Sequence, residues 1–269
     1  MADDAGSKET TEAIRLYTAY RAALDASEIG GRFMPYNWWA LPDPIGIIWL
    51  PYAQMLDEFA TELANIINNL THHVHRLRAW AQVVDSLSDH EKLMATHEFI
   101  DTLGTVALGM PYTIKSRFAF ATASLCHQAN RAKDPTGWRD EFPDARALYL
   151  NEVDPICAGW RRYRAFKLRV EPIAGNAFKA ATEDFRNAYA HRFSARFVIG
   201  MTGVVSRTVG SDGTVGYGIG GGTEPLGLNS VADILTLERD QCYRAFDAFQ
   251  SLVGEQVEAI AQFEAAPSA

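Results

Sequence analysis

From Tyr52 to Ser86 the chain runs without a proline or a glycine, and Met55, Phe59, Leu63, Ile66, Ile67, Leu70, Val74, Leu77 and Val84 recur along it every three or four residues. That is the period of one apolar helix face, and a face so long must be covered by other long helices. This requirement selects a helical bundle before any other class. Thr11–Ser27 repeats the period with Ile14, Tyr17, Tyr20 and Leu24 and stops at Gly30-Gly31. Ser88 is placed to cap a helix over Asp89–Leu108, which Gly109 and Pro111 are expected to end. A helix over Tyr112–Lys133 follows, closed by Asp134-Pro135, and then one over Asp144–Arg169 with an interruption near Pro155.

Beyond Pro172 and Gly175 a helix is expected over about Asn176–Arg196, after which the composition changes. In residues 198–222, Val204, Val205, Thr208 and Val209 face Val215, Tyr217 and Ile219 across Gly210-Ser211-Asp212-Gly213, the pattern of a β-hairpin. Ser230-Val231-Ala232-Asp233 then has the form of a capping box opening a last helix through Phe246, Phe249, Val253 and Ile260. The expected fold is all-α, a bundle of long helices with a β-hairpin insertion before the last one. Residues 1–51 form an N-terminal helix and a proline- and tryptophan-rich segment, and residues 52–269 the helical domain.

With 48% apolar and 22% charged residues, the chain has the makeup of a globular protein. A formal charge of −8 argues against an extended polyanion-binding surface and leaves room only for a local basic patch. Cys126, Cys157 and Cys242 are odd in number and lack CxxC pairing, so they read as buried thiols of a reducing compartment, with no thiolate metal cluster. The acidic, polar N-terminus lacks the basic start and apolar run of an export signal, and the expected location is the cytoplasm. Phe33–Ala53 holds Trp38, Trp39 and Trp49, but Pro35, Pro42, Pro44, Pro51 and Asp43 break any spanning helix. No membrane partner is expected; the segment reads as an irregular cover over the helices.

The helix expected at 176–196 carries the chemistry. At 100° per residue, Phe178, Ala181, Phe185, Ala188, Tyr189 and Phe193 form one stripe, the expected core face. Asp184, Asn187 and His191 stack on a second stripe roughly opposite, among the small residues Ala177, Ala180, Ala190, Ser194 and Ala195, which would let another helix approach. Arg186 projects from the flank.

The order Arg186-Asn187-Ala188-Tyr189-Ala190-His191 resembles the Arg-polar-(three or four residues)-His motif of the HEPN (higher eukaryotes and prokaryotes nucleotide-binding) superfamily. In a chain of this composition an Arg five residues ahead of a His is expected about 0.5 times by chance, and about 0.02 times with Asn following the Arg. The likeness covers the motif helix and, loosely, the bundle from residue 52 to 264; the N-terminal segment and the hairpin depart from it. It implies a metal-independent endoribonuclease of the toxin or phage-defence kind, with no cofactor. Two copies would bring their motif helices together, an antitoxin or other regulator would hold the activity in check, and RNA would be the substrate. Attack of a 2′-hydroxyl on the adjacent phosphate needs a base, an acid for the leaving 5′-oxygen and a cation for the developing charge. His191 fits the proton steps, Arg186 the phosphate, and Asn187 the orientation of either. A catalytically silent, dimeric binding or scaffold module is the alternative, and a helical interaction protein working through Trp38-Trp39 is a third reading.

Arg161, Arg162, Arg164, Lys167 and Arg169 form an acid-free basic run, and Arg192 and Arg196 follow the motif. Arg161, Arg162, Arg192 and Arg196 are therefore candidate contacts to an RNA backbone. Two other signals are weaker. His72 and His75 lack an obvious third ligand, so no metal is expected. The run Gly216–Gly222 is followed by Thr-Glu-Pro where a phosphate loop needs a helix start with Lys.

Overall fold

The computed structural model describes residues 2–143 and 148–266, with side chains from Lys8 onward. The chain is mostly helical, with a small antiparallel hairpin before the last long helix, as the periodicity requires. The helices are α1 (Ala2–Ala26), α2 (Leu50–Val84), α3 (Asp89–Ala95), α4 (Asp101–Lys133), α5 (Leu150–Cys157), α6 (Tyr163–Val170), α7 (Asn176–Ala181), α8 (Phe185–His191) and α9 (Leu228–Ala265), and the strands are β1 (Val205–Val209) and β2 (Val215–Ile219). No helix among the described residues is long and apolar enough to cross a membrane.

Several helix ends differ from expectation. Gly109 and Pro111 do not end a helix; α4 passes through both. Proline costs one backbone hydrogen bond, about 3 kcal/mol, but the buried face continues on either side of it through Ala107, Leu108, Met110, Ile114 and Phe118, and that burial outweighs the loss. Between α3 and α4, residues Thr96–Ile100 form a π-helical turn that no sequence signal announces. Ser88 does cap α3: its hydroxyl accepts from the Glu91 N–H, and the Glu91 carboxylate accepts from the Ser88 N–H at 2.8 Å. Pro155 lies inside α5, and the interruption comes later, at residues 158–162; of the expected 144–169 helix, residues 144–147 lie outside the described set. The last helix begins at Leu228, so Ser230 stands within its first turn instead of capping it.

The described chain falls into two compact units. The first comprises residues 1–30, 70–109 and 176–237. Its aromatic core stacks Tyr20 on Trp80 at 4.5 Å and Trp80 on Phe99 at 5.2 Å, and α1 buries Leu16 and Tyr20, one turn apart. Gly104 on α4 provides the space that the Phe197 ring fills; a Cβ there would stand 2.6 Å from the ring. The hairpin belongs to this unit. Val205 pairs with Ile219, Arg207 with Tyr217 and Val209 with Val215, and the turn closes with Gly210 N–H on the Thr214 carbonyl at 2.8 Å. Gly213 takes the left-handed conformation (φ 81°) that the turn demands. Every residue of both strands is exposed.

The second unit comprises residues 31–69, 110–175 and 238–269. Phe118 packs edge to face on both Phe166 and Phe249 at its centre, and those two rings meet at a tilt. The proline- and tryptophan-rich segment lies irregularly over this core: Trp38 sets its ring against Phe246 and Phe249, and Asn68 brackets the Met34 backbone, accepting from its N–H at 2.6 Å and donating to its carbonyl at 3.2 Å. Pro51 falls in the first turn of α2, where its missing N–H costs nothing. Trp49 is buried and donates its indole N–H to Glu264 at 2.8 Å.

Candidate functional site

The helix expected over 176–196 is two short helices. Thr182 donates its hydroxyl back to the Phe178 carbonyl at 2.9 Å, Asp184 N–H reaches the Lys179 carbonyl at 2.7 Å, and Glu183 and Asp184 both lie in the left-handed region (φ 53° and 47°). A bond spanning five residues around a left-handed residue is the closure that ends a helix, made here with glutamate where glycine is usual. The chain then restarts as α8. Ala188 N–H donates to the Asp184 carbonyl at 3.0 Å, and Asn187 donates its side-chain amide to the Asp184 carboxylate at 2.9 Å. After His191 the backbone leaves helical geometry at Arg192.

The break changes which residues α8 buries. Phe178, Phe185 and Ala188 are core residues as expected, with Phe185 packed on Phe197 at 5.3 Å. Ala181 is exposed; so is Tyr189, at 61%, its ring stacked on that of Phe185, and Phe193 is 86% exposed. Of the six residues expected on the core stripe, three are therefore buried and three are not: Ala181 is the last residue of α7 before the break, Tyr189 turns outward on α8, and Phe193 lies beyond its end. Arg186, Asn187 and His191 are all exposed. Asn187 and His191, four apart, share the outer face of α8, and Arg186 stands on its flank.

A cleft of about 500 Å³ opens beside this helix, bounded by Lys179, Glu183, Asp184, Arg192, Phe193 and Thr223. Arg192 reaches it, whereas Arg186, Asn187 and His191 do not line it. Two cations face two carboxylates there, so the cleft as a whole has no net sign. The sequence concealed it, because its walls meet only through the turn at 182–184. Arg196 is exposed at the foot of the hairpin, where its carbonyl accepts from the Leu226 N–H at 2.8 Å.

The motif residues belong with Arg192 and Arg196 to the first unit, and Arg161 and Arg162 belong to the second. Their backbone N–H groups donate to the Glu255 carboxylate at 3.0 and 2.9 Å. Burial opposes the charge on Glu255, but those N–H groups, with Lys133 and Arg161 nearby, overcome it and hold its carboxyl below the usual range. Lys167, in the same basic run, is paired with Asp154 at 2.6 Å, and the hydrogen bonds from Lys167 and Tyr163 hold the Asp154 carboxyl low. The run is thus partly neutralised by acids that are distant in sequence or just outside it.

Cys126, Cys157 and Cys242 are fully buried, and burial pushes the Cys157 and Cys242 thiols up. Among the described residues no three His, Cys, Asp or Glu side chains are grouped to hold a metal ion. His75 shares a hydrogen bond with the Ser27 hydroxyl at 2.8 Å, and burial lowers its pKa. Comparison of the chain with protein-family models, curated proteins and solved structures found no match.

Proposed function

We propose that the chain is a metal-independent endoribonuclease of the toxin or phage-defence kind, acting as a homodimer whose two α8 helices supply one composite site and whose activity an antitoxin or other regulator restrains. The observation that carries this reading is the division of labour on α8. Phe185 and Ala188 take the packing, while Asn187 and His191 share its exposed outer face with Arg186 alongside. In the reaction, His191 of one copy takes the proton of the RNA 2′-hydroxyl as its oxygen attacks phosphorus. The partner's His191 gives a proton to the departing 5′-oxygen, and a 2′,3′-cyclic phosphate is left. Arg186 holds the phosphate oxygens as charge builds, and Asn187, anchored on Asp184, orients the imidazole or the phosphate. Arg192 and Arg196 extend the path for flanking phosphates, and Arg161 and Arg162 are further backbone contacts in this reading.

A second reading, a dimeric scaffold without catalysis, draws on the exposure of Tyr189 and Phe193 beside the same motif. One experiment separates the two. Wild type and His191→Ala are incubated with total RNA in EDTA and the ends mapped. Cleavage that leaves 2′,3′-cyclic phosphate and drops at least a hundredfold in the variant is the expected result. Equal background in both samples removes the ribonuclease and leaves the scaffold.

A further inference from the structure

The hairpin is unusual in burying nothing. Tyr217 is 75% and Ile219 86% exposed, and Val205, Val209 and Val215 are exposed beside them. All five side chains lie on one face, because alternate residues of a strand point the same way; Ser206, Thr208, Gly216 and Gly218 form the other. A two-stranded ribbon with no cover is at best marginally stable alone.

The ladder parity identifies the open edge. Gly210 N–H bonds to the Thr214 carbonyl and Gly220 N–H to the Val204 carbonyl, so the even-numbered pairs exchange hydrogen bonds within the hairpin. The odd-numbered residues Val215, Tyr217 and Ile219 therefore direct their N–H and C=O groups outward from β2, away from β1. β2 reads Val-Gly-Tyr-Gly-Ile, the same pattern in both directions about Tyr217.

We propose that β2 is the seam of a two-fold homodimer, pairing antiparallel with β2 of a second copy across Tyr217. In that register Tyr217 meets its own mate, Val215 meets Ile219 of the other copy, and the six outward N–H and C=O groups of each strand are all satisfied. Aromatic falls opposite aromatic and β-branched opposite β-branched, cross-strand pairs that favour sheets, and no charge lies in the seam. The outer edge of β1 has Arg207 at the equivalent centre, where a two-fold axis would set two guanidinium groups against each other. That contrast chooses β2, and the near-palindrome chooses a second copy over an unrelated strand. The joined hairpins make a four-stranded sheet. Its foot is tied to the segment following α8, since the Thr202 hydroxyl donates to the Ser194 carbonyl at 3.1 Å and Thr202 bridges to Thr223. The seam stands independently of RNA cleavage.

The test is a cross-link. Facing Cα atoms of a hydrogen-bonded antiparallel pair lie about 5.5 Å apart, within disulfide reach. Tyr217→Cys under mild oxidation is expected to give a covalent dimer reversed by reductant, while Arg207→Cys stays monomeric on a denaturing gel; the three native thiols are buried and do not compete. In sedimentation, wild type and Tyr217→Phe are expected to be dimeric at micromolar concentration and Tyr217→Lys monomeric, all with the same helical circular dichroism. A monomeric wild type, a dimeric Tyr217→Lys, or equal cross-linking at 207 and 217 overturns the seam. A cross-linked Tyr217→Cys with no RNA cleavage by wild type leaves the seam standing and removes only the catalytic reading.

Discussion

At the scale of single residues, the candidate side chains were legible in the sequence, but the backbone that holds them was not. Arg186, Asn187 and His191 were legible because their spacing is a property of the chain itself. The left-handed turn at Glu183 and Asp184 was not: neither residue is a glycine, and the bond that closes the turn, from the Asp184 N–H to the Lys179 carbonyl, is made only in the folded chain. A left-handed L-residue costs about 1 kcal/mol, which glycine does not incur. Glu183→Gly is therefore expected to stabilise the protein by about 0.5–1 kcal/mol, seen in thermal unfolding as a rise of about 2 °C. Were α7 and α8 one continuous helix, the same change would cost about 1 kcal/mol. The sign of the change is the readout, and Asn187, anchored on Asp184, takes its place from this turn.

At the scale of elements, the long helices were legible and their ends were not. The period over 52–86 gave α2 to within two residues, since burial of one face is repeated on every turn. The hairpin was legible too, because its turn needs glycine locally. Helix ends answer to distant contacts: α4 ignores Gly109 and Pro111 because the buried face runs on beyond them. Two glycines of α4 turn that difference into opposite predictions. A Cβ at Gly109 meets nothing within 4 Å, so Gly109→Ala is expected to add about 1 kcal/mol of helix stability. At Gly104 the Cβ would run into Phe197, and Gly104→Ala is expected to cost about 1–3 kcal/mol. Urea unfolding of the two variants measures both. A loss at Gly109→Ala would mean that this glycine ends the helix in a left-handed cap, as the sequence first suggests.

At the scale of the whole molecule, the proposed cleavage asks for a second copy, for a reason of chemistry more than of fold. α8 carries one histidine, while phosphodiester transfer needs an acid and a base together. The cleft beside α8 offers Arg192 but no second imidazole. If two copies complete the site, activity must follow the statistics of pairing. Wild type mixed with an equal amount of His191→Ala, and allowed to exchange, distributes as about one wild-type dimer to two mixed and one variant dimer. Only half of the wild-type protomers then sit in wild-type pairs. Cleavage per wild-type protomer is expected to fall to about half at equal mixing and further with excess variant, in proportion to the wild-type fraction. A site complete within one chain would show no fall at any ratio. Locking each pair with Tyr217→Cys disulfides before mixing blocks exchange and should abolish the effect, so the locked sample shows whether the pair that cleaves is the pair that β2 holds together.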